Sequence, residues 1–357
     1  MAAALVDILT RRQVTVQRLS AGEVRKVDAF IRKLDERIRA KLLLSELTTL
    51  ARARLLERLE AIESALADIL GDFQRDLFAD LAELAIDEAR FTREAVAVTT
   101  QFETVVPAPQ QLRAAIFAQP MAMRGPGGGM MLRPFVRQWT AQQVQAVTNL
   151  IRLGVAQGDT NADITRMIRG TAAQRYADGV LAATKRNVDT VVHTSVQHIA
   201  TVARMETFAA NSDIIGAIRW VSTLDNRTCV RCGALDLLEF PVDQGPRPPL
   251  HPRCRCTVTA VFKGELAKLS RGGSRPSIGP NGVAQQSAGL NYYTWLKQQP
   301  AAFQDYAIGP SRGRLLRNGG LSSERFAQLQ LDKRFMPLSL EDARRLEPLA
   351  FLAAGLD

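Results

Sequence analysis

Aromatic residues make up only 6% of this 357-residue chain, histidine occurs three times, and no cysteine lies outside positions 229–256. Without clustered aromatics the chain lacks the base-stacking platform of strong single-strand nucleic-acid binding. With histidine only at His193, His198 and His251, neither the His-Glu-x-x-His of a metalloprotease nor the His-x-Glu of a zinc deaminase occurs. No Gly-Lys-Ser/Thr follows the glycines at 125–129, which argues against a phosphate cradle. No apolar run approaches the ~20 residues of a membrane span. Residues 1–16 have no long apolar core and meet Arg11 and Arg12 early, so no secretory signal is expected. Synthesis in a reducing cytoplasm is the resulting expectation, with thiols free or metal-bound rather than paired.

What is present reads mostly as helix. Hydrophobic residues at 46% and charged residues at 23% are those of an ordinary globular protein. The wealth of Leu and Ala favours helix over sheet. Forty-six Lys and Arg against 36 Asp and Glu give a net charge of +10. That suits a neighbouring polyanion and equally a solvated mixed-charge surface. Ser20-Ala-Gly-Glu23 fits a capping box opening an amphipathic helix. From Lys41 to Phe91 there is no proline and a single glycine, Gly71. Leu55, Leu59, Ile62, Leu66, Ile69, Phe73, Leu77, Leu81 and Leu84 recur at steps of three and four, a bundle or coiled-coil seam. Unbroken, such a helix would span ~75 Å. The expected form is two helices breaking or bending near Gly71-Asp72.

Pro107, Pro109, Pro120, Pro126 and Pro134 then interrupt the pattern, with a flexible loop expected at Gly125–Gly129. Helices are expected to resume at a second capping box, Thr140-Ala-Gln-Gln143, to stop at Gly158, and to restart at Thr160 or Asn161. A third helix is expected from about Gln174 to Ala210. On it His193 and His198 lie five apart and so do not share a face. They read as surface or half-buried residues with no evident partner. Strands are expected at 214–221 and 256–262, on either side of the cysteine loop. The fold class is therefore mainly α with a small α+β cysteine-containing domain: long N-terminal helices, a helical middle and short β-strands flanking the Cys/His loop. The expected organisation is a helical region at 1–105, a Pro/Gly linker at 106–139, the Cys/His domain at 140–262, a Ser/Gly/Pro/Arg linker at 263–290, and a helical extension at 291–357 with a helix start at Ser339.

Cys229-x-x-Cys232 and His251-Pro-Arg-Cys254-Arg-Cys256 offer five ligands for a four-coordinate site. If 254–256 is extended, both thiols point to one face and all four cysteines bind, leaving His251 outside the ion's own ligands. If the chain bends after Pro252, His251 replaces one cysteine. A closed structural zinc site is the expectation, stapling a loop stiffened by Pro246, Pro248, Pro249 and Pro252. Free thiols or disulfides are the alternative, and no catalytic set is apparent. Asp225, Asn226, Arg227 and Asp236 read as turn formers and caps. Arg231, Arg253, Arg255, Lys263, Lys268 and Arg271 are candidate contacts for DNA or a partner. Arg253 and Arg255 are alternatively partners of Asp225 or Asp236.

The run Trp220-Val-Ser-Thr-Leu-Asp225-Asn-Arg227-Thr-Cys229-Val-Arg-Cys232, with Leu235-Asp236 and then Pro248-Pro-Leu-His251-Pro-Arg-Cys254-Arg-Cys256, resembles the Mu F-like minor head proteins of tailed bacteriophages, the phage head morphogenesis family. The family pattern is a Trp, then Asp-x-Arg-Thr-Cys-x-x-Cys, a Leu-Asp pair, and Pro-Pro-x-His-Pro-x-Cys-Arg-Cys. The likeness extends loosely over 140–211, where His193-Thr-Ser195 and Arg204-Met-Glu206 stand in place of the family's Arg-Thr-Glu. The tail looks like the extension of some members. The resemblance implies a non-enzymatic virion protein of few copies, made in the host cytoplasm during head assembly. Its implied partners are the portal protein or the major capsid protein, with packaged DNA nearby and no membrane.

Overall fold

The computed structural model describes residues 4–124 and 129–356, so the glycine loop expected at 125–129 lies mostly outside the described residues. In chain order the elements are α1 (Leu5–Leu42), α2 (Arg52–Thr100), α3 (Pro109–Ala118), α4 (Leu132–Gln157), α5 (Asn161–Arg169), α6 (Val180–Ala210), β1 (Ile215–Val221), α7 (Val230–Leu235), β2 (Glu239–Pro241), β3 (Thr257–Phe262), β4 (Ser274–Gly279), β5 (Gly282–Ser287), α8 (Tyr292–Lys297), α9 (Ala301–Ile308), α10 (Pro310–Asn318), α11 (Ser323–Gln328), α12 (Leu340–Leu346) and α13 (Pro348–Ala353). The chain is mainly α with a small antiparallel β component, as its composition and periodicity foretold. No described helix is long and apolar enough to cross a membrane.

Several expected boundaries move, for physical reasons. Neither capping-box serine or threonine starts a helix. Ser20 lies inside α1, fully buried, with its hydroxyl 2.6 Å from His193 Nδ1. Thr140 lies inside α4 and donates back to the Arg137 carbonyl at 2.9 Å. A hydroxyl satisfied by the preceding turn or by a tertiary partner carries the same local pattern as a cap. The expected break at Gly71 is absent: α2 runs unbroken for 49 residues. A glycine inside a helix costs only about 1 kcal/mol, and the buried Leu66, Leu70, Phe73 and Leu77 around it outweigh that. Thr160 and Ser339 do cap helices, each accepting from the amide three residues on, and Gly158 closes α4 in the left-handed conformation.

Two compact units result. One comprises Arg18–Glu83 and Met131–Val196. Its core takes Leu34 and Ile38 from α1, the α2 seam, Val136, Trp139 and Ile151 from α4, and Ile164 and Ile168 from α5. Phe73 meets Phe30 and Trp139 edge-on, with ring centroids 5.6 and 5.8 Å away. Asn161 fastens the α1–α2 turn, donating through Nδ2 to the Leu42 and Ser45 carbonyls at 2.6 and 2.8 Å. His193 is half-buried and does have partners, Ser20 and, through Nε2, Asp189 at 3.2 Å.

The other unit comprises Met1–Gln17, Leu84–Met130 and Gln197–Asp357 and contains the sheet. Its strand order is β2-β1-β3, antiparallel throughout, with Ile218 opposite Phe240 and Trp220 opposite Val258. Ile218, Trp220, Val258, Ala260 and Phe262 pack with Leu5, Leu9 and Phe208 in one core. A second core gathers Tyr292, Tyr293, Trp295, Leu296, Leu315 and Phe326 with Leu224 and Ala234. The expected linker 263–290 is folded: a 3-10 helix at Gly264–Ser270, then the β4–β5 hairpin. The expected linker 106–139 contains α3 and the start of α4.

A buried ion pair joins Glu88 of α2 to Arg204 of α6, at 0% and 1% side-chain exposure. Arg204 also donates to Thr257 of β3, and Arg12 donates to Glu88 at 2.7 Å.

His198, expected at the surface or half-buried, is 3% exposed. Burial lowers its pKa to about 4 from an ordinary 6.5, and backbone groups at Ile116 and Gln119 reverse this only in part. The imidazole is therefore neutral in the folded chain and protonates first in the unfolded one. Its contribution is complete above 6.5 and is lost as pH falls from 6.5 toward 4, up to about 3 kcal/mol. His198→Leu should flatten this part of the stability–pH curve measured by urea unfolding. An unchanged slope would refute the assignment.

Candidate metal centre

Each cysteine is placed by a distinct piece of local structure. Cys229 is the N-cap of α7, its Sγ accepting from the Cys232 amide at 3.4 Å. One turn of helix thereby brings both thiols of the Cys-x-x-Cys to one side. Cys254 and Cys256 sit on the approach to β3, and their thiols gather with that of Cys232. Between His251 and Cys254 the chain bends: Arg253 has φ 59° and the Cys254 amide donates to the His251 carbonyl at 3.2 Å. The bend after Pro252 weighed from the sequence is therefore present.

All five candidates converge. Cys229, Cys232 and His251 form one group and Cys232, Cys254 and Cys256 another, with ligand atoms in each group within 4.8 Å of one another. Cys232 belongs to both. Its Sγ lies 3.4 Å from His251 Nε2 and 3.9 Å from Cys254 Sγ. These distances suit a tetrahedral ion, for which metal–ligand bonds near 2.0–2.3 Å place sulfur–sulfur pairs ~3.8 Å and sulfur–nitrogen pairs ~3.5 Å apart. The other ring nitrogen of His251 is 2.8 Å from the Pro252 carbonyl, the contact that fixes a ligating imidazole. All four cysteines are free thiols. The cluster could hold a metal ion.

The electrostatics favour charge separation within the cluster. Hydrogen bonding with Cys232 draws the Cys229 thiol down to about 5. Hydrogen bonds from Cys232 and Cys256 hold Cys254 well below the usual thiol range. Cys232 is pushed well up by its thiolate neighbours and by burial. Cys256 is also raised well above the thiol range; its contact with Cys232 lowers it, but that with Cys254, together with burial, prevails. Burial opposes a charge on His251, but hydrogen bonds to Cys229 and Cys254 override this and raise it to about 11. Anionic sulfur gathered where solvent is excluded calls for a cation.

A collar of buried polar residues holds the loop. Arg255 donates to both carboxylate oxygens of Asp225. Burial alone would raise the Asp225 carboxyl, but the guanidinium more than reverses it and holds it below the usual range. Asp225 also accepts from the Arg227 amide at 3.0 Å, the turn role read from the sequence. Trp220 Nε1 donates to Ser222 Oγ, which donates to the Cys232 carbonyl at 2.7 Å.

The six basic candidates divide. Arg231 is 6% exposed and donates to the carbonyls of Phe335 and Leu250, so it serves the interior. Arg255 is engaged by Asp225. Arg253, Lys263, Lys268 and Arg271 are exposed, and Lys263 donates to the Ser212 carbonyl at 2.6 Å. Sequence reasoning missed Arg275 as a structural residue. It is 1% exposed and grips Asp236 through both terminal nitrogens, at 2.8 and 2.5 Å. Asp236, expected as a cap, is the hub of this network; it also accepts from the amides of Ser222 and Tyr292, each at 2.7 Å. The only signal was its place in the Leu-Asp pair of the motif.

No curated protein and no solved structure matches the chain. Residues 145–259, which hold the last part of α4, all of α5 and α6, β1, β2, the first half of β3 and the whole cysteine cluster, match the family model described as phage Mu protein F like protein. Over that segment the chain is similar to the phage Mu protein F like family.

Proposed function

We propose that this chain is a phage head morphogenesis protein: a minor structural component of a tailed-bacteriophage head that acts by binding, not by catalysis. The observation carrying this reading is the family match over residues 145–259, with the complete Cys/His cluster inside it. In this reading the protein associates with the virion, at the portal vertex or the inner capsid face. It contacts the portal protein or the major capsid protein and lies near packaged DNA. The ion is a structural zinc, favoured by a borderline-soft donor set of thiolates and one imidazole. Bound there, zinc would neutralise the clustered thiolates and tie α7 to the approach to β3. Mass spectrometry of purified particles tests the reading. The chain should be found in procapsids or mature heads at low copy, and its absence from both would sink the proposal.

A further inference from the structure

The short helix α7 has two faces, and they serve different parts of the molecule. On one face Cys232 and Leu235 join the sheet core, with Cys229 packed against it. On the other, Val230 and Ala234 join the core of the C-terminal helices. Six residues make a helix that does not hold itself in water. Its geometry is therefore imposed by what grips it.

The C-terminal region grips α7 and its flanks at many points. Tyr293 Oη donates to the Val230 carbonyl and Tyr292 Oη to the Asp225 carbonyl, both at 3.1 Å. Arg231 donates to the Phe335 carbonyl at 2.7 Å. Arg275 and the Tyr292 amide both end on Asp236, the residue that closes α7. A Cβ on Gly233 would lie 2.5 Å from the Tyr292 ring, so the ring rests directly on the helix backbone between the two grips. Leu224 and Ser277 form a parallel bridge just ahead of the knuckle.

We infer that ion occupancy of the Cys/His cluster governs docking of the region from Pro276 to Leu356: with the ion bound, α7 is a formed platform that the tail clasps, and with the ion removed the platform loosens and the tail undocks. This rests on the metal reading above and adds a conformational consequence to it. Ser274 is held independently, by Asp7 of α1 at 2.7 Å, so release begins beyond it.

Hydrogen exchange on the full chain, read by mass spectrometry with metal content measured in parallel, tests this. Removing the ion with a chelator should raise exchange in α8 to α11 by on the order of tenfold or more, while α4 and α5 keep their protection. Added zinc should reverse the change. Arg275→Met should raise tail exchange while leaving the ion bound, and Tyr292→Phe should do so more weakly. Ion removal with the tail still protected, or uniform loss of protection in every helix, would overturn the inference and leave the metal reading standing. A purified chain that neither carries nor takes up zinc would overturn both.

Discussion

Cys232→Ser should leave the protein with far less than one bound ion per chain, where the unaltered protein should carry about one zinc. The reason is topological. Cys232 alone belongs to both ligand groups, 3.4 Å from His251 and 3.9 Å from Cys254. Losing any other candidate leaves one of the two groups whole; losing Cys232 removes the thiol that both share. The thiol is also fully buried, so a hydroxyl there has no water to replace the lost ligand. Structural zinc in small sites is worth on the order of 10 kcal/mol of apparent binding free energy, and without a preformed site elsewhere that is folding free energy. The cysteine unit should therefore unfold at markedly lower denaturant. Elemental analysis with urea unfolding decides it: stoichiometric zinc retained by Cys232→Ser would refute the central role of this thiol.

Arg204→Met should cost up to about 3 kcal/mol, because it leaves the fully buried Glu88 carboxylate with Arg12 as its one remaining cation. The compensating double change, Glu88→Leu with Arg204→Met, should recover most of that loss, since apolar residues of similar size need no partner. Arg12 does not obstruct the recovery, because Asp87 remains to pair with it. Urea unfolding of the three variants gives the comparison. A single variant as stable as the original, or a double variant no better than the single, would count against the pair as described.

Local signals were legible where they sufficed. The α2 seam, the cap at Thr160, the strands around the loop and the five convergent ligands all follow from spacing within a few residues of each other. One position of the seam moved, with Leu70 buried and Ile69 only partly so, while Leu59, Ile62, Leu66, Phe73, Leu77, Leu81 and Leu84 are buried as expected. What stayed hidden depends on partners far along the chain. Arg275 reads as one more basic residue in a polar stretch until Asp236 is placed beside it. Ser20 and Thr140 have the chemistry of caps and a different use for it. His198 gave no sign of burial, since its neighbours at 116 and 119 lie some eighty residues upstream.

The Arg231–Phe335 contact carries a consequence for the timing of biosynthesis. The last candidate ligand, Cys256, emerges about eighty residues before Phe335, on the order of ten seconds at ribosomal rates. In the proposed zinc reading, the ion would be captured on a nascent chain whose outer cover does not yet exist. For that interval the face of α7 formed by Val230, Gly233 and Ala234, on which Tyr292 and Tyr293 later rest, is open, and a chain truncated ahead of those tyrosines would expose it permanently.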